Sequence, residues 1–359
     1  MITQSHCAGT TPEPILEVRA LTKRFGKTVA LDQCTFDIPM GSIMGLVGSN
    51  GAGKSTFMRI AAGVLKQDGG QIAYRGQAIY DNPAVKSEIL FVADNPWFFP
   101  DSNLETMSPF YAHLYPRFDP DLYQHLLTIF PLDPKMKFTH MSKGMQRQAN
   151  LLLSLAARPR LILMDEAFDG LDPVMRQILK RLVASEVASG EMTVLIASHN
   201  IRELEDFCDI VSILHRGGLL CVQDIEDLKL GIFKVQTGFP QAVTREDLEK
   251  MGLELLDMSQ NQSVYRLLIR GDREVILPKL EELNPYFLDL LPLSLEEFFI
   301  YQLEDLGYGV AEILGGQDSE KEDTQKGTKE KGTTEKGGSH EFNQYNKSNQ
   351  ANGSKQRSK

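Results

Sequence analysis

The sequence predicts an α/β fold, a buried parallel sheet crossed by helices, and three observations carry that prediction. First, short and wholly apolar runs at Ile43–Val47, 161–164 (LILM) and 193–197 (TVLIA) are each followed by polar residues and then a segment of helical spacing. Strands buried on both faces have that composition, and crossover helices connect them. Second, 359 residues with 42% hydrophobic and 24% charged side chains match an ordinary globular chain. At about 150 residues per domain this makes two domains and a remainder. Third, residues 317–359 hold three apolar side chains, Phe342, Tyr345 and Ala351, among repeated Lys, Glu, Gly, Thr, Ser, Gln and Asn. Such a segment cannot bury enough surface to offset its ordering entropy, so 313–359 is predicted to be a disordered polar tail.

Taken in order, residues 15–20 and 34–38 read as strands with a turn near Gly26, and Met40–Gly41 opens another turn. The run Ile43–Val47 follows, then a helix over 53–65 and strands over 71–75 and 89–93. Residues 103–156 are mostly helical with breaks at the prolines. Beyond the apolar runs at 161–164 and 193–197 lies a smaller α+β unit over 236–312. In it, 233–237 and 263–270 read as strands, and 244–251 and 272–283 as helices. Its ending, 292–305, is amphipathic, with Leu295, Phe298, Phe299, Leu303 and Leu306 on or near one helical face.

Charge and cysteine usage narrow the classes. The net charge is −10, and the tail carries nine Lys/Arg against seven Asp/Glu, so residues 1–316 hold −12. A chain without a basic stripe is not expected to bind nucleic acid. No stretch approaches the ~18–20 consecutive apolar residues of a spanning helix. The N-terminus, MITQSHCAGTTPEP, has neither basic flank nor apolar core, so no signal peptide is expected. Cys7, Cys34, Cys208 and Cys221 form no CxxC pair, which fits reduced thiols and a cytoplasmic address.

Residues 48–56, GSNGAGKST, match G-x-x-x-x-G-K-[ST]. Glycines let backbone N–H groups wrap an anion at a helix N-terminus, so Gly48, Ser49, Asn50, Gly51, Ala52, Gly53, Lys54, Ser55 and Thr56 are candidate phosphate ligands. Lys54 reaches the β/γ-phosphates in this pattern, and the Ser55 hydroxyl ligates Mg²⁺. The context is right, with a strand before the loop and a helix after it. A second site follows from LILMDE (161–166), a strand that ends in two carboxylates at the edge where α/β proteins bind ligands. Asp165 is placed to hold Mg²⁺ and Glu166 to polarise a water against the γ-phosphate.

With these residues in view, the chain resembles the ATP-binding subunit of an ATP-binding cassette (ABC) transporter over about 12–235, and most resembles ABC-2-type bacterial exporter ATPases. Five motifs stand in the family's order: Gly48–Thr56, the signature Met141–Ser142–Lys143–Gly144–Met145, Asp165–Glu166, Gly170–Leu171–Asp172, and His199 in ASHN. The resemblance implies a P-loop ATPase with a helical subdomain inserted at about 86–157. It implies that Phe25 stacks on adenine and that His199 contacts the γ-phosphate. Ser142 and Gly144 would touch the γ-phosphate of a second ATPase subunit, with Asp172 at that interface. ATP and Mg²⁺ are the implied ligands, and integral membrane permease subunits the implied partners, placing the chain on the cytoplasmic face of a cell membrane.

Two departures from the family pattern stand out. Lys143 and Met145 replace the common Gly and Gln of Leu-Ser-Gly-Gly-Gln, while Ser142 and Gly144 remain. Asp94 stands where the family offers glutamine to Mg²⁺, and reads either as a metal ligand or as a surface turn residue. Trp97–Phe98–Phe99–Pro100 next to it reads either as part of a groove for a membrane subunit or as core of the helical subdomain. The C-terminal unit ends in a Ser-Leu-Glu-Glu-Phe helix like those of ABC-2-type exporters, which implies export. A soluble ABC ATPase working on a machine such as the ribosome is the alternative. It is disfavoured by the single phosphate loop and the lack of sustained heptads.

Overall fold

The computed structural model describes residues 13–226 and 231–305, and the predicted tail lies outside them. In chain order, β1 (Pro14–Phe25) and β2 (Thr28–Pro39) form a hairpin, and β3 (Ile43–Val47) leads to α1 (Lys54–Ala61). Next come β4 (Gly69–Tyr74), β5 (Gln77–Ala78), α2 (Pro83–Lys86) and β6 (Ile89–Val92). Helices α3 (Leu104–Leu114), α4 (Pro120–Ile129) and α5 (Lys143–Ala156) are inserted before β7 (Leu161–Asp165). Then follow α6 (Pro173–Ala188), β8 (Thr193–Ser198), α7 (Ile201–Glu205), β9 (Ile210–His215) and β10 (Gly218–Asp224).

The central sheet runs β10-β9-β3-β8-β7-β6, with every pair parallel except the antiparallel edge strand β10. A parallel sheet is covered on both faces, which explains the unbroken apolar runs. On β3, Met44 and Leu46 pack into one core cluster, while Ile43 and Val47 face another. The first of these clusters is closed by α1 and the antiparallel sheet β2-β1-β4-β5, where Phe36 and Phe57 meet with ring centroids 5.1 Å apart.

The outcomes differ from expectation where backbone irregularity interrupts a pattern. Strand β1 runs to Phe25, past 20, because Ala20 takes a φ of +46 and shifts the register between Val18 and Leu21. That bulge breaks the period-two signal. Helix α1 stops at Ala61 and not at 65, since Gly63 turns the chain with a φ of +65. The inserted helices begin where side chains cap them: Asn103 on α3, Asp119 followed by Pro120 on α4, and Ser142 on α5. Their inner faces, including Leu104, Tyr123, Leu126, Leu151 and Leu152, join the core on the second face of the central sheet.

The C-terminal unit is an antiparallel sheet ordered β12-β13-β11-β14, from β11 (Ile232–Gly238), β12 (Glu254–Asn261), β13 (Val264–Arg270) and β14 (Phe287–Leu291). Helices α8 (Arg245–Lys250) and α9 (Arg273–Glu281) close one face over Val235, Leu248, Tyr265, Leu267, Ile269, Ile276 and Leu280. The last strand of the parallel sheet's edge ends at Asp224 and the first strand of this sheet begins at Ile232. The final helix, α10 (Leu295–Asp305), places Leu295, Phe298 and Phe299 in the core shared with Ile201, Leu204 and Phe207 around α7. Leu306 of the predicted apolar face lies outside the described residues. Among the described residues no helix is long and apolar enough to cross a membrane.

Candidate nucleotide site

Three neighbouring parallel strands end level with one another. Val47 pairs with Ser198 and Asp165 with Ala197, so the residues that follow, Gly48, Glu166 and His199, leave the sheet side by side. Adjacent strands lie about 4.8 Å apart, so their end residues fall within side-chain reach.

After β3 the chain bends sharply. Gly48 is required there, because a Cβ would stand 2.3 Å from the carbonyl oxygen of Leu214. The Ala52 N–H donates to Ser49 O at 3.1 Å, and Gly217 N–H donates to Ala52 O at 2.9 Å, which ties the loop to the β9–β10 turn. Gly53 precedes α1 in a left-handed conformation and no side chain caps that helix end. Its first N–H groups therefore remain available for an anion. Lys54 is buried, and its Nζ donates to Gly48 O at 2.6 Å and lies 3.7 Å from Glu166 Oε1. Burial lowers the Lys54 pKa, and the Glu166 and Asp165 carboxylates oppose that shift.

Asp165, 4% exposed, has its Oδ1 buried without a hydrogen-bond partner. Burial pushes its carboxyl group up, while the Ser55 hydroxyl and the Lys54 ammonium pull it down. An unpartnered buried carboxylate oxygen beside a hydroxyl and a phosphate-binding loop is a fitting donor set for a hard cation such as Mg²⁺. Glu166 holds a φ of +51, a conformation that costs on the order of 1–3 kcal/mol in a non-glycine residue. Its N–H donates to Ala197 O at 3.0 Å, which helps to fix it. Its Oε2 lies 2.9 Å from His199 Nδ1.

The remaining predicted residues lie in three places. Phe25, at the end of β1, is half exposed with Lys23 Nζ 5.5 Å from its ring centroid, so an aromatic face is open to a planar ligand. Ser142 and Lys143 are exposed at the start of α5, where Ser142 Oγ accepts from Met145 N–H at 3.2 Å. Asp172 is an exposed cap of α6, accepting from Val174 and Met175 N–H groups at 3.1 and 3.0 Å. Asp94 differs from the other predicted metal ligands in that both its carboxylate oxygens are engaged. Oδ1 accepts from Arg147 Nη2 at 2.5 Å and Oδ2 from Asn95 Nδ2 at 3.0 Å.

Lys54, Ser55, Asp165, Glu166 and His199 thus converge, whereas Ser142, Gly144 and Asp172 sit at helix starts on the surface or near it. Two residues were missed from sequence. Asp169 offers a carboxylate oxygen that groups with Glu166 and His199 atoms within 4.8 Å. Arg147 meets Asp94 across 53 positions of chain. The available signal was the unusual acid at 94, which called for a cation nearby. Of the aromatic trio, Phe98 stacks on Phe138 with centroids 3.7 Å apart, while Trp97 is 75% exposed and edges against exposed Phe99.

The fold and this cluster define a protein that binds and cleaves nucleoside triphosphates. Residues 31–169 match the ABC transporter family. The chain is 32% identical over 286 residues to the ABC transporter ATP-binding protein YtrB of Bacillus subtilis (strain 168), covering 80% of this chain and 97% of that protein. It is 30% identical over 212 residues to the bacitracin transport ATP-binding protein BcrA of Bacillus licheniformis, covering 57% and 68%. A solved ATP-binding subunit of an ABC transporter superposes with a TM-score of 0.56 at 27% identity, over 60% of this chain and 92% of that one. The chain belongs to the ABC transporter family as an ATP-binding subunit, an ATPase that drives transport.

Proposed function

We propose that this chain dimerises around two ATP molecules and that closing and opening of the dimer drives export through separate membrane permease subunits, from the cytoplasmic face. The observation that carries the site assignment is the convergence of Lys54, Asp165, Glu166 and His199 at the ends of three adjacent strands. In this reading the backbone of Gly48–Thr56 cradles the phosphates, Lys54 leaves Gly48 O for the β/γ-phosphates, and Phe25 stacks on adenine. Ser55 and Asp165 hold Mg²⁺, which when bound neutralises phosphate charge. Glu166 takes a proton from the attacking water, and His199 orients that water and the γ-phosphate.

Ser142 and Gly144, exposed or half-buried at a helix N-terminus, present N–H groups and a hydroxyl to the γ-phosphate bound by a partner copy, with Asp172 alongside. The cassette spans 12–235, its helical subdomain about 86–157, and the small accessory domain 236–312. Exposed Trp97, Phe99 and Phe110, in edge contact in that subdomain, supply an apolar surface for a permease. The direction of transport rests on the Ser-Leu-Glu-Glu-Phe ending, which resembles that of ABC-2-type exporter ATPases.

The test of the chemistry is Glu166→Gln. Turnover of MgATP should fall by about 10²–10⁴, the range for loss of a general base, with ATP binding retained. Hydrolysis near the wild-type rate would sink the assignment of Glu166.

A further inference from the structure

The roles above leave Arg147 unused, although it joins an inserted helix to segments that flank the site. From the second turn of α5 its guanidinium reaches two segments at once. Nε donates to Asp94 O at 3.2 Å, Nη2 to Asp94 Oδ1 at 2.5 Å, and Nη1 to Asp169 O. Asp94 lies just beyond β6, where the chain departs for the inserted helices, and Asp169 lies three residues beyond Glu166. The Asp169 N–H in turn donates to Glu166 O at 3.1 Å, which closes the turn that carries Glu166. Room for the guanidinium exists because residue 170 is glycine. Its φ is +71, and a Cβ there would stand 2.8 Å from Arg147 Nη1.

We propose that Arg147 is a positioning residue: it clamps Asp94 to the Asp169 carbonyl, so that the turn bearing Glu166 moves with the signature helix, and it takes Asp94 as its own counter-ion in place of Mg²⁺. The proposal rests on the reading of Glu166 as the base. Three physical points support it. A planar, forked guanidinium spans two acceptors with fixed geometry, which a point charge does not. A carboxylate at 94 without a partner would be one more negative charge beside a phosphate site, and the Arg147 guanidinium is ion-paired with it. Helix α5 begins at Ser142, so a shift of its start on meeting a partner's nucleotide is transmitted by Arg147 to Asp169 and Glu166. The pair is only partly buried, with 21% and 42% of the two side chains exposed, so its worth lies in geometry more than in folding energy.

The experiment compares full-length wild type with Arg147→Gln, Asp94→Asn, the double variant and Glu166→Gln, measuring kcat, KM, affinity for a fluorescent ATP analogue, and the Mg²⁺ concentration needed for its binding. Arg147→Gln should lower kcat about tenfold or more while KM and affinity stay within about twofold, the signature of a misplaced catalytic group. Asp94→Asn should leave the Mg²⁺ requirement unchanged, and the double variant should be no slower than Arg147→Gln alone. Arg147→Lys keeps the charge and loses the fork. It carries the same expectation and serves if the glutamine variant does not fold. Wild-type kcat in the Arg147 variants, or about a tenfold rise in the Mg²⁺ requirement of Asp94→Asn, overturns the proposal. If Glu166→Gln is inactive in that case, the ATPase reading survives; if it too is active, both fall.

Discussion

Replacing Lys54 by methionine should stabilise the nucleotide-free chain and remove most of the stabilisation that ATP confers. The Lys54 side chain is 6% exposed and burial holds its pKa below 10.5, so the folded state bears a cost for carrying that charge. Methionine fills a similar stem volume without it. The sign with pH follows. Below the depressed folded pKa the cost is fully present, and from there to 10.5 the unfolded chain binds more protons, so wild-type stability gains on the variant as pH rises.

With ATP the wild type gains more than the variant. At ATP a hundredfold above Kd, binding stabilises the wild type by about 2.7 kcal/mol. A lost charge-assisted contact weakens binding by about 1.5–3 kcal/mol, so the same ATP concentration stabilises the variant by only about 0.3–1.3 kcal/mol. Thermal melts of both proteins with and without MgATP read all four states. Equal ATP-induced shifts would refute the role of Lys54, and a less stable nucleotide-free variant would refute the burial argument.

Two more outcomes follow from the packing. Gly48→Ala places a methyl 2.3 Å from Leu214 O, so β9 and the phosphate loop must separate. ATP affinity measured with a fluorescent analogue should fall at least about tenfold, because the loop's N–H groups lose their common focus. At the C-terminal unit, Phe299→Ala should cost about 3–5 kcal/mol in urea unfolding, since Phe299 is 1% exposed. Arg202→Ala, which breaks an exposed pair with Glu296, should cost about 1 kcal/mol or less. Similar costs for the two would show that α10 is held by charge and not by its aromatic face.

How much of this was legible varied with the kind of information each element carries. Strand β3 fell at 43–47 as read, because both its faces are buried and every residue is apolar or glycine. Strand β9 went unread because Ser212 and His215 interrupt its apolar run. Ser212 is tolerated in the core because its Oγ donates to Gly45 O at 3.0 Å, a partner on the neighbouring strand that no local pattern announces. Strands β10 and β14 are half-buried except at exposed Asp224 and Asp289 and lack a clean alternation. At the site, Gly48–Thr56, Asp165 and Glu166 could be proposed from spacing, which constrains strand ends and loop, whereas His199 was proposed only through the resemblance to the family. The Asp94–Arg147 clamp was not, since it joins residues distant in sequence through a fold that brings β6 beside α5. The engaged Asp94 carboxylate also shows why residue type alone left its two readings open.

The central claim is that a working site needs the phosphate loop of one copy and the signature of another. Lys54→Met and Ser142→Arg chains should each be inactive alone. Mixed in equal amounts they should regain up to about a quarter of the wild-type ATPase rate, since half of the dimers are mixed and each of those has one intact site. Activity no greater than that of the two separate variants would contradict the shared site.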